Sequence, residues 1–451
     1  MPDSQPRRPD DEADGSGPGR GDSGPGTGGG SPADRAAAAG SLLLCGARLT
    51  DGRVVDVRIG GDRIEAVGTA GSLTARGPRV DLGGYLLLPA PAEPHGHSDG
   101  ALTAEGRGPV SHGAEDVQRR STEAALLQLG HGATAQRGHV RIGDLHGLTP
   151  LEAALQTRRA LRGLADVTTV AAPRLLTGVA GGDGLAMLRD AMKMGADAVG
   201  GRPDLDPDPS GYVEAALMVA AEHGAPVDLH TDGEDPARLA RLAAMAGGLR
   251  HRVTIGPCAG LAHLPLAVAS RAADQLAAAG VTVVCLPQGG CSGTERRGTA
   301  PVRLLRAAGV RVAAGGGALR DVANPVGRGD PLEAAYLLAS QHGLSAEHAY
   351  EAVTAGARQA MGLAEVRIEA GFPAELLAVR GEKLAGVLSL GYSRIVVHRG
   401  RIVARTSAVR EYCDSEAPGG PGLPRQGRSD PGGGRGRPGA GPSPGAGPDD
   451  G

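Results

Sequence analysis

Residues 86–99 read LLLPAPAEPHGHSD, and the reading of this stretch decides the fold. Leu86, Leu87 and Leu88 form a short apolar run stopped by Pro89, as a fully buried strand would. His95 and His97 follow, with only Gly96 between them. On extended backbone, residues i and i+2 point to the same side, so two imidazoles can converge on one metal ion at a strand end. Histidine suits that role because its neutral nitrogen donates without adding charge. A His-x-His in an arbitrary loop is more simply two surface histidines. Its place directly after a buried strand gives this pair its meaning.

Downstream of this stretch the chain alternates helix and strand. A helix over residues 116–129 precedes a strand over 134–141, and a helix over 151–164 precedes 167–170. Helix 185–194 precedes 198–200, helix 212–222 precedes 227–230, and helix 236–244 precedes 252–256. Helix 265–279 then leads to strand 281–286, and helix 302–308 to strand 310–314, before helices at 331–340 and 346–362. With residues 86–88 counted first, eight short apolar strands alternate with helices, which predicts a closed parallel barrel with its chemistry at the C-terminal strand ends. Upstream, residues 42–67 read as an antiparallel meander around a Gly-Gly-Asp turn. Strands at 376–379, 395–398 and 402–404 close the folded part, and the two terminal sets are expected to join in one small sheet domain.

Composition sets the limits. Of 451 residues, 76 are Gly and 33 Pro, concentrated in the opening MPDSQPRRPDDEADGSGPGRGDSGPGTGGG and in the tail from about Asp414. Segments so poor in apolar residues cannot offset the entropy of ordering, so residues 1–40 and 413–451 are expected to be disordered. The folded part divides at 41–84, 85–365 and 366–412. With one Phe and no Trp, its core must be Leu, Val, Ile and Ala. A net charge of −3 without a dominant basic run argues against nucleic acid as a partner. No apolar stretch reaches 18 residues, so no membrane span is expected. The run 36–45 is too short and too far in for a signal peptide, and five scattered cysteines make no disulfide frame, so the expected location is the cytoplasm.

The framing phrases VDLGGYLLLP at 80–89, EAGFPAELLAV at 369–379 and VVHRGRIVA at 396–404 resemble those of the amidohydrolase superfamily. DAVGGRPD at 197–204, PVDLHTDGED at 226–235 and ERRGTAPVRLLRAAGV at 295–310 are similar to its cytosine deaminase branch. The resemblance implies a (β/α)8 TIM barrel with a small β-sandwich domain built from the N- and C-terminal strands. It also implies a divalent metal, zinc or iron, held by the His-x-His pair, a fifth-strand His and an eighth-strand Asp. A Glu shortly after the fifth-strand His shuttles protons in that family, and a sixth-strand His assists the attacking water.

Matched residue by residue, half of that site is present. His95, His97 and His230 match the metal histidines, and His139 matches a family His near the substrate. The shuttle Glu falls on Gly233, with Glu234 displaced by one; the sixth-strand His falls on Pro257, the metal Asp on Gly317, and the substrate-amide Gln on Arg174. Three histidines can still hold zinc with an open position, though more weakly without the carboxylate. A missing general acid–base typically costs about 10²–10⁴-fold in rate. The expected function is therefore a degenerate cytosine-deaminase-like protein binding a small nucleobase-like or polar cyclic ligand. The alternative is a working hydrolase of non-peptide C–N bonds with a rearranged site, for which Glu234 or Asp321 would have to reach the metal. Cys258, Cys285 and Cys291 could face the same mouth but read better as idle thiols, and seven histidines (112, 131, 223, 251, 263, 342, 348) read as solvated. Gly315, Gly316 and Gly317 read as a loop that has lost its functional residues rather than a phosphate cradle. The sequence leaves homo-oligomer formation open.

Overall fold

The computed structural model describes residues 41–106, 110–248, 252–289 and 298–408. Both terminal tails expected to be disordered, and Cys291 and His251, lie outside these residues.

The chain opens with β1 (Ser41–Arg48), β2 (Val54–Gly60), β3 (Arg63–Thr69), β4 (Arg79–Asp81) and β5 (Tyr85–Pro89). Eight parallel strands follow: β6 (Ala92–Gly96), β7 (Ala135–Ile142), β8 (Asp166–Pro173), β9 (Ala198–Gly201), β10 (Val227–Thr231), β11 (Val253–Pro257), β12 (Thr282–Cys285) and β13 (Arg311–Ala314). Between them run α1 (Ala114–Gly130), α2 (Thr149–Ala160), α3 (Gly178–Met194), α4 (Pro209–His223), α5 (Pro236–Ala246), α6 (Leu266–Ala278) and α7 (Val302–Ala307). After the barrel come α8 (Pro331–His342), α9 (Ala346–Val353), α10 (Ala355–Met361), β14 (Leu376–Arg380), α11 (Leu384–Leu390), β15 (Arg394–His398) and β16 (Arg401–Thr406). Each barrel strand pairs with the next in sequence order, and β13 returns beside β6, where Glu93 Oε2 accepts from the Gly316 backbone N–H at 2.6 Å. The helix starts were legible locally. Asp208, Asp235 and Asp330 each precede a proline, and each carboxylate accepts from backbone N–H groups of the first turn.

The terminal strands form one mixed sheet in the order β16-β15-β14-β5-β1-β2-β3, with β4 beside β1. This corrects the count of barrel strands. Residues 86–88 belong to β5, which pairs antiparallel with β14 (Leu86↔Val379, Leu87↔Ala378, Leu88↔Leu377). The first barrel strand is β6, six residues later, and it carries Glu93 and His95. The physical reason is burial on two faces. Leu87 packs with Leu44, Val57, Leu376 and Ile395 in the sheet's own core, whereas Leu86 and Leu88 pack against the barrel core with Leu377 and Val379. A strand between two cores reads as continuous apolar sequence. Strand β6 aims polar groups into the barrel and does not.

The two parts are joined by buried polar contacts. Arg394 on β15 makes a bidentate pair with Asp330 at 2.8 and 2.7 Å, and the Tyr350 hydroxyl donates to Pro89 O at 2.8 Å. No described helix is long and apolar enough to cross a membrane.

Candidate functional site

Three barrel strands carry inward polar pairs two residues apart: Glu93 and His95 on β6, Arg137 and His139 on β7, Asp228 and His230 on β10. The period of two aims both members of each pair at the barrel axis. His97, just past β6, completes the cluster. The His95 ring lies at the centre, 4.0 Å from His139, 5.2 Å from His230 and 5.3 Å from His97, centroid to centroid. The barrel therefore brings together all four histidines expected from the sequence.

Their nitrogens are short of partners. His95 Nε2 and His230 Nδ1 are 3.1 Å apart and share one hydrogen bond. His95 Nδ1, His97 Nε2, His139 Nε2, His230 Nε2 and Asp228 Oδ1 are buried with no hydrogen-bond partner. Five orphaned buried atoms around one space are costly unless something satisfies them. A cation fits this donor set in two ways. His95, His97 and His230 form one group; His95, His139 and Asp228 form a deeper one, with ligand atoms in each within 4.8 Å of one another. In the deeper group Asp228 Oδ1 is 3.5 Å from His139 Nε2 and 3.8 Å from His95 Nδ1. Ligands about 2.0–2.2 Å from a tetrahedral zinc stand roughly that far apart.

The charge states suit a cation as well. Burial, then the neighbouring His139, pulls His95 down to about 4. Burial and His95 hold His97 and His230 well below the ordinary histidine value, so these three rings are neutral near pH 7. Burial penalises the charge on Asp228, but His139, His95 and Arg137 together hold its carboxyl well below the usual range. Arg137 Nη1 reaches Asp228 Oδ2 at 2.8 Å, leaving the other oxygen facing the histidines. Burial pushes Glu93 up to about 7, against the backbone N–H groups of Gly316 and His95 that it accepts from.

Asp228 is the residue the sequence reading missed. It sits inside the run taken as apolar, yet its alternation with His230 in VDLH was the available signal. Glu93 was missed because the strand was read as ending at Pro89, and it explains two of the three glycines after β13. A Cβ on Gly315 would lie 2.3 Å from Glu93 Oε1, and one on Gly316 would lie 3.0 Å from Oε2. Gly315 and Gly316 make room for that carboxylate, which corrects the reading of these two as a merely emptied loop.

Above the cluster opens a cavity of about 540 Å³, which His97, His139, His230 and Arg174 help to line. Glu234 is not among its lining residues; it is exposed, and its stem lies over Gly260 on the loop after β11. Asp321 lines the cavity, but its Oδ1 accepts from the backbone of Ala323 and Asn324. Among the described residues, neither carboxylate belongs to a group that could hold a metal ion. Pro257 ends β11 in a buried position, and Gly233 and Gly317 adopt positive φ of 71° and 66°. His112, read as solvated, is partly exposed; it lines the cavity and stacks on His146 with ring centroids 4.4 Å apart. Cys258 and Cys285 are buried thiols outside the cluster; burial pushes Cys285 up to about 12 and Cys258 well above the ordinary value.

Residues 99–404 match the profile of the Amidohydrolase family. The chain belongs to the amidohydrolase family. Among relatives, a pterin deaminase of Rhizobium rhizogenes (strain K84) is 26% identical over 78% of this chain and 88% of its own. N-isopropylammelide isopropyl amidohydrolase of Pseudomonas sp. (strain ADP) is 23% identical over 79% and 95%. Among solved structures, N-isopropylammelide isopropylaminohydrolase from Burkholderia multivorans superposes with a TM-score of 0.72 at 27% identity, covering 81% of this chain and 99% of that one. The 5-methylcytosine deaminase from Klebsiella pneumoniae, liganded with 5-fluorocytosine, gives the same score at 23% identity over 82% and 99%, a likeness of fold. The barrel and appended sheet are thus those of amidohydrolases, as the framing phrases implied.

Proposed function

We propose that this amidohydrolase-family chain binds a small polar ring compound in the barrel mouth without deaminating it at an enzyme's rate. One observation carries the reading. The two carboxylates among the described cavity-lining residues are both engaged, Asp99 with Arg141 Nε at 3.0 Å and Asp321 with its own loop backbone. A deaminase needs a group at the ring that takes a proton from water and gives one to the leaving amine. Gly233, Pro257 and Gly317 cannot serve, and exposed Glu234 does not reach the cavity. Ring compounds are the ligand class because the relatives' names point to pterin and ammelide substrates.

The orphaned nitrogens and Asp228 Oδ1 would hold one divalent ion, zinc or iron. Bound there, it would supply Lewis acidity toward a ring atom or a water. The chain's own part is to present neutral histidines, to fix Asp228 through Arg137, and to hold the ring between strand ends with Arg174 at the edge. A second reading, a metal-dependent hydrolase of non-peptide C–N bonds with a rebuilt site, is favoured by one observation. Asp228 offers the cluster a carboxylate that position 317 lacks.

Metal analysis of the purified chain, with an ammonia-release assay on cytosine and pterin, separates the two. The expected result is ring binding with release undetectable over background. Turnover at an ordinary enzymatic rate, about 1–10³ per second, would overturn the binding-only reading.

A further inference from the structure

Three guanidinium groups line the cavity above the histidines. Arg141 lies on β7, Arg174 directly follows β8, and Arg202 directly follows β9, so three consecutive strands each contribute one. Arg141 is committed to Asp99. Arg202 is not committed. Its half-buried side chain lines the cavity, its Nε is buried without a hydrogen-bond partner, and it makes no ion pair among the described residues. A buried N–H without an acceptor is costly, and an incoming acceptor satisfies it without breaking an existing bond. The two carboxylates that line the cavity are otherwise occupied: Asp99 holds Arg141 and Asp321 caps its loop, while Asp232, outside the lining, lies near enough to feel Arg202's charge but makes no ion pair with it. The lining also has an apolar part, with Ile142, Leu205 and Val322. The volume falls within the ordinary range of about 300–1,000 Å³ for small-molecule pockets.

We propose that the mouth selects a ring compound bearing an anionic group, a carboxylate or a phosphate, which docks on Arg202 with Arg174 beside it while the ring lies against the apolar lining residues. This deepens the ring-binding reading and rests on it. A guanidinium fork matches both anions in two-point geometry, so the chemistry shared by the two is what the site recognises.

The test uses the full chain stripped of metal with a chelator, and isothermal calorimetry with three probes: uracil, orotate (the same ring with a carboxylate) and inorganic phosphate. A charge-assisted hydrogen bond in a partly dry site is worth roughly 10- to 100-fold in affinity. Orotate is expected to bind at least about tenfold tighter than uracil, and Arg202→Gln to erase that preference; Arg189→Gln, on the barrel exterior, is expected to leave it unchanged. Phosphate binding that depends on Arg202, without an orotate preference, supports the same site with phosphate as the source. Should Arg202→Gln fail to fold, Arg174→Gln and the salt dependence of the native chain decide: raising the salt must weaken orotate and leave uracil alone. Uracil binding as tight as orotate, with no phosphate binding, overturns the anion inference and leaves the ring reading standing. A preference that survives Arg202→Gln or high salt also overturns it. No binding of any probe overturns both.

Discussion

Asp228→Asn tests the centre of the site. Asp228 is fully buried, and Arg137, equally withdrawn from solvent, reaches its Oδ2 at 2.8 Å. Among the described residues, the only other side-chain partner of that guanidinium is Thr254 Oγ1 at a marginal 3.5 Å. Removing the carboxylate charge therefore strands a cation inside the barrel, and breaking a buried pair from one side costs about 3–5 kcal/mol. That corresponds to roughly 10²–10⁴ in the unfolding constant. The assay is urea unfolding at pH 7 with a chelator present, run also on Arg137→Met and on the Arg137→Met, Asp228→Leu double variant. The double variant should lose much less than the sum of the singles, because both charges leave together. Zinc should then raise the midpoint of the native chain and raise that of Asp228→Asn less, since ligand binding adds stability by mass action. A cost below about 1 kcal/mol for Asp228→Asn would refute the reasoning, since the carboxylate would then be neither charged nor paired as described.

Three further outcomes follow from the same geometry. His97→Ala removes a ligand of the outer histidine group only, and His139→Ala one of the deeper group only; zinc calorimetry should show one variant weakened by about 10²–10³-fold and the other nearly unaffected, whereas equal losses would reject two separate positions. Gly317→Asp places a side chain at φ 66°, costing about 1 kcal/mol by thermal melt, and should tighten zinc binding if position 317 still faces the histidines; unchanged affinity would show that it does not. Asp330→Asn keeps the cap on α8 but strips the bidentate partner of Arg394, costing about 3–5 kcal/mol at pH 7. Burial opposes the charge on Asp330, but Arg394 prevails and lowers its pKa. The pair's stabilisation is thus fully present above the unfolded carboxyl value of about 3.9 and is lost as pH falls through the lower folded value. The difference between native and variant should hold from pH 7 to 4 and shrink below that; a difference that had already vanished by pH 5 would contradict the lowered pKa.

Much of this protein is determined by local sequence. The helix-and-strand alternation after Gly113 follows from periodicity and from Asp-Pro starts, and seven of the eight barrel strands fall where apolar runs lie. The convergence of the histidines was readable because His-x-His and a strand-end His need only the period of two. Tertiary structure alone decided which core each strand serves. Leu86–Leu88 is apolar because two cores press on it, while β6 is polar because the barrel axis there is the site; one sequence rule cannot separate these cases. It also decided which polar groups matter. Asp228 and Glu93 sit in ordinary-looking strands, and only closure of the barrel brings Arg137 to one and the glycines after β13 to the other. Glu234, adjacent in sequence to a position of interest, turns outward, because one residue along a loop changes direction more than any spacing rule can carry.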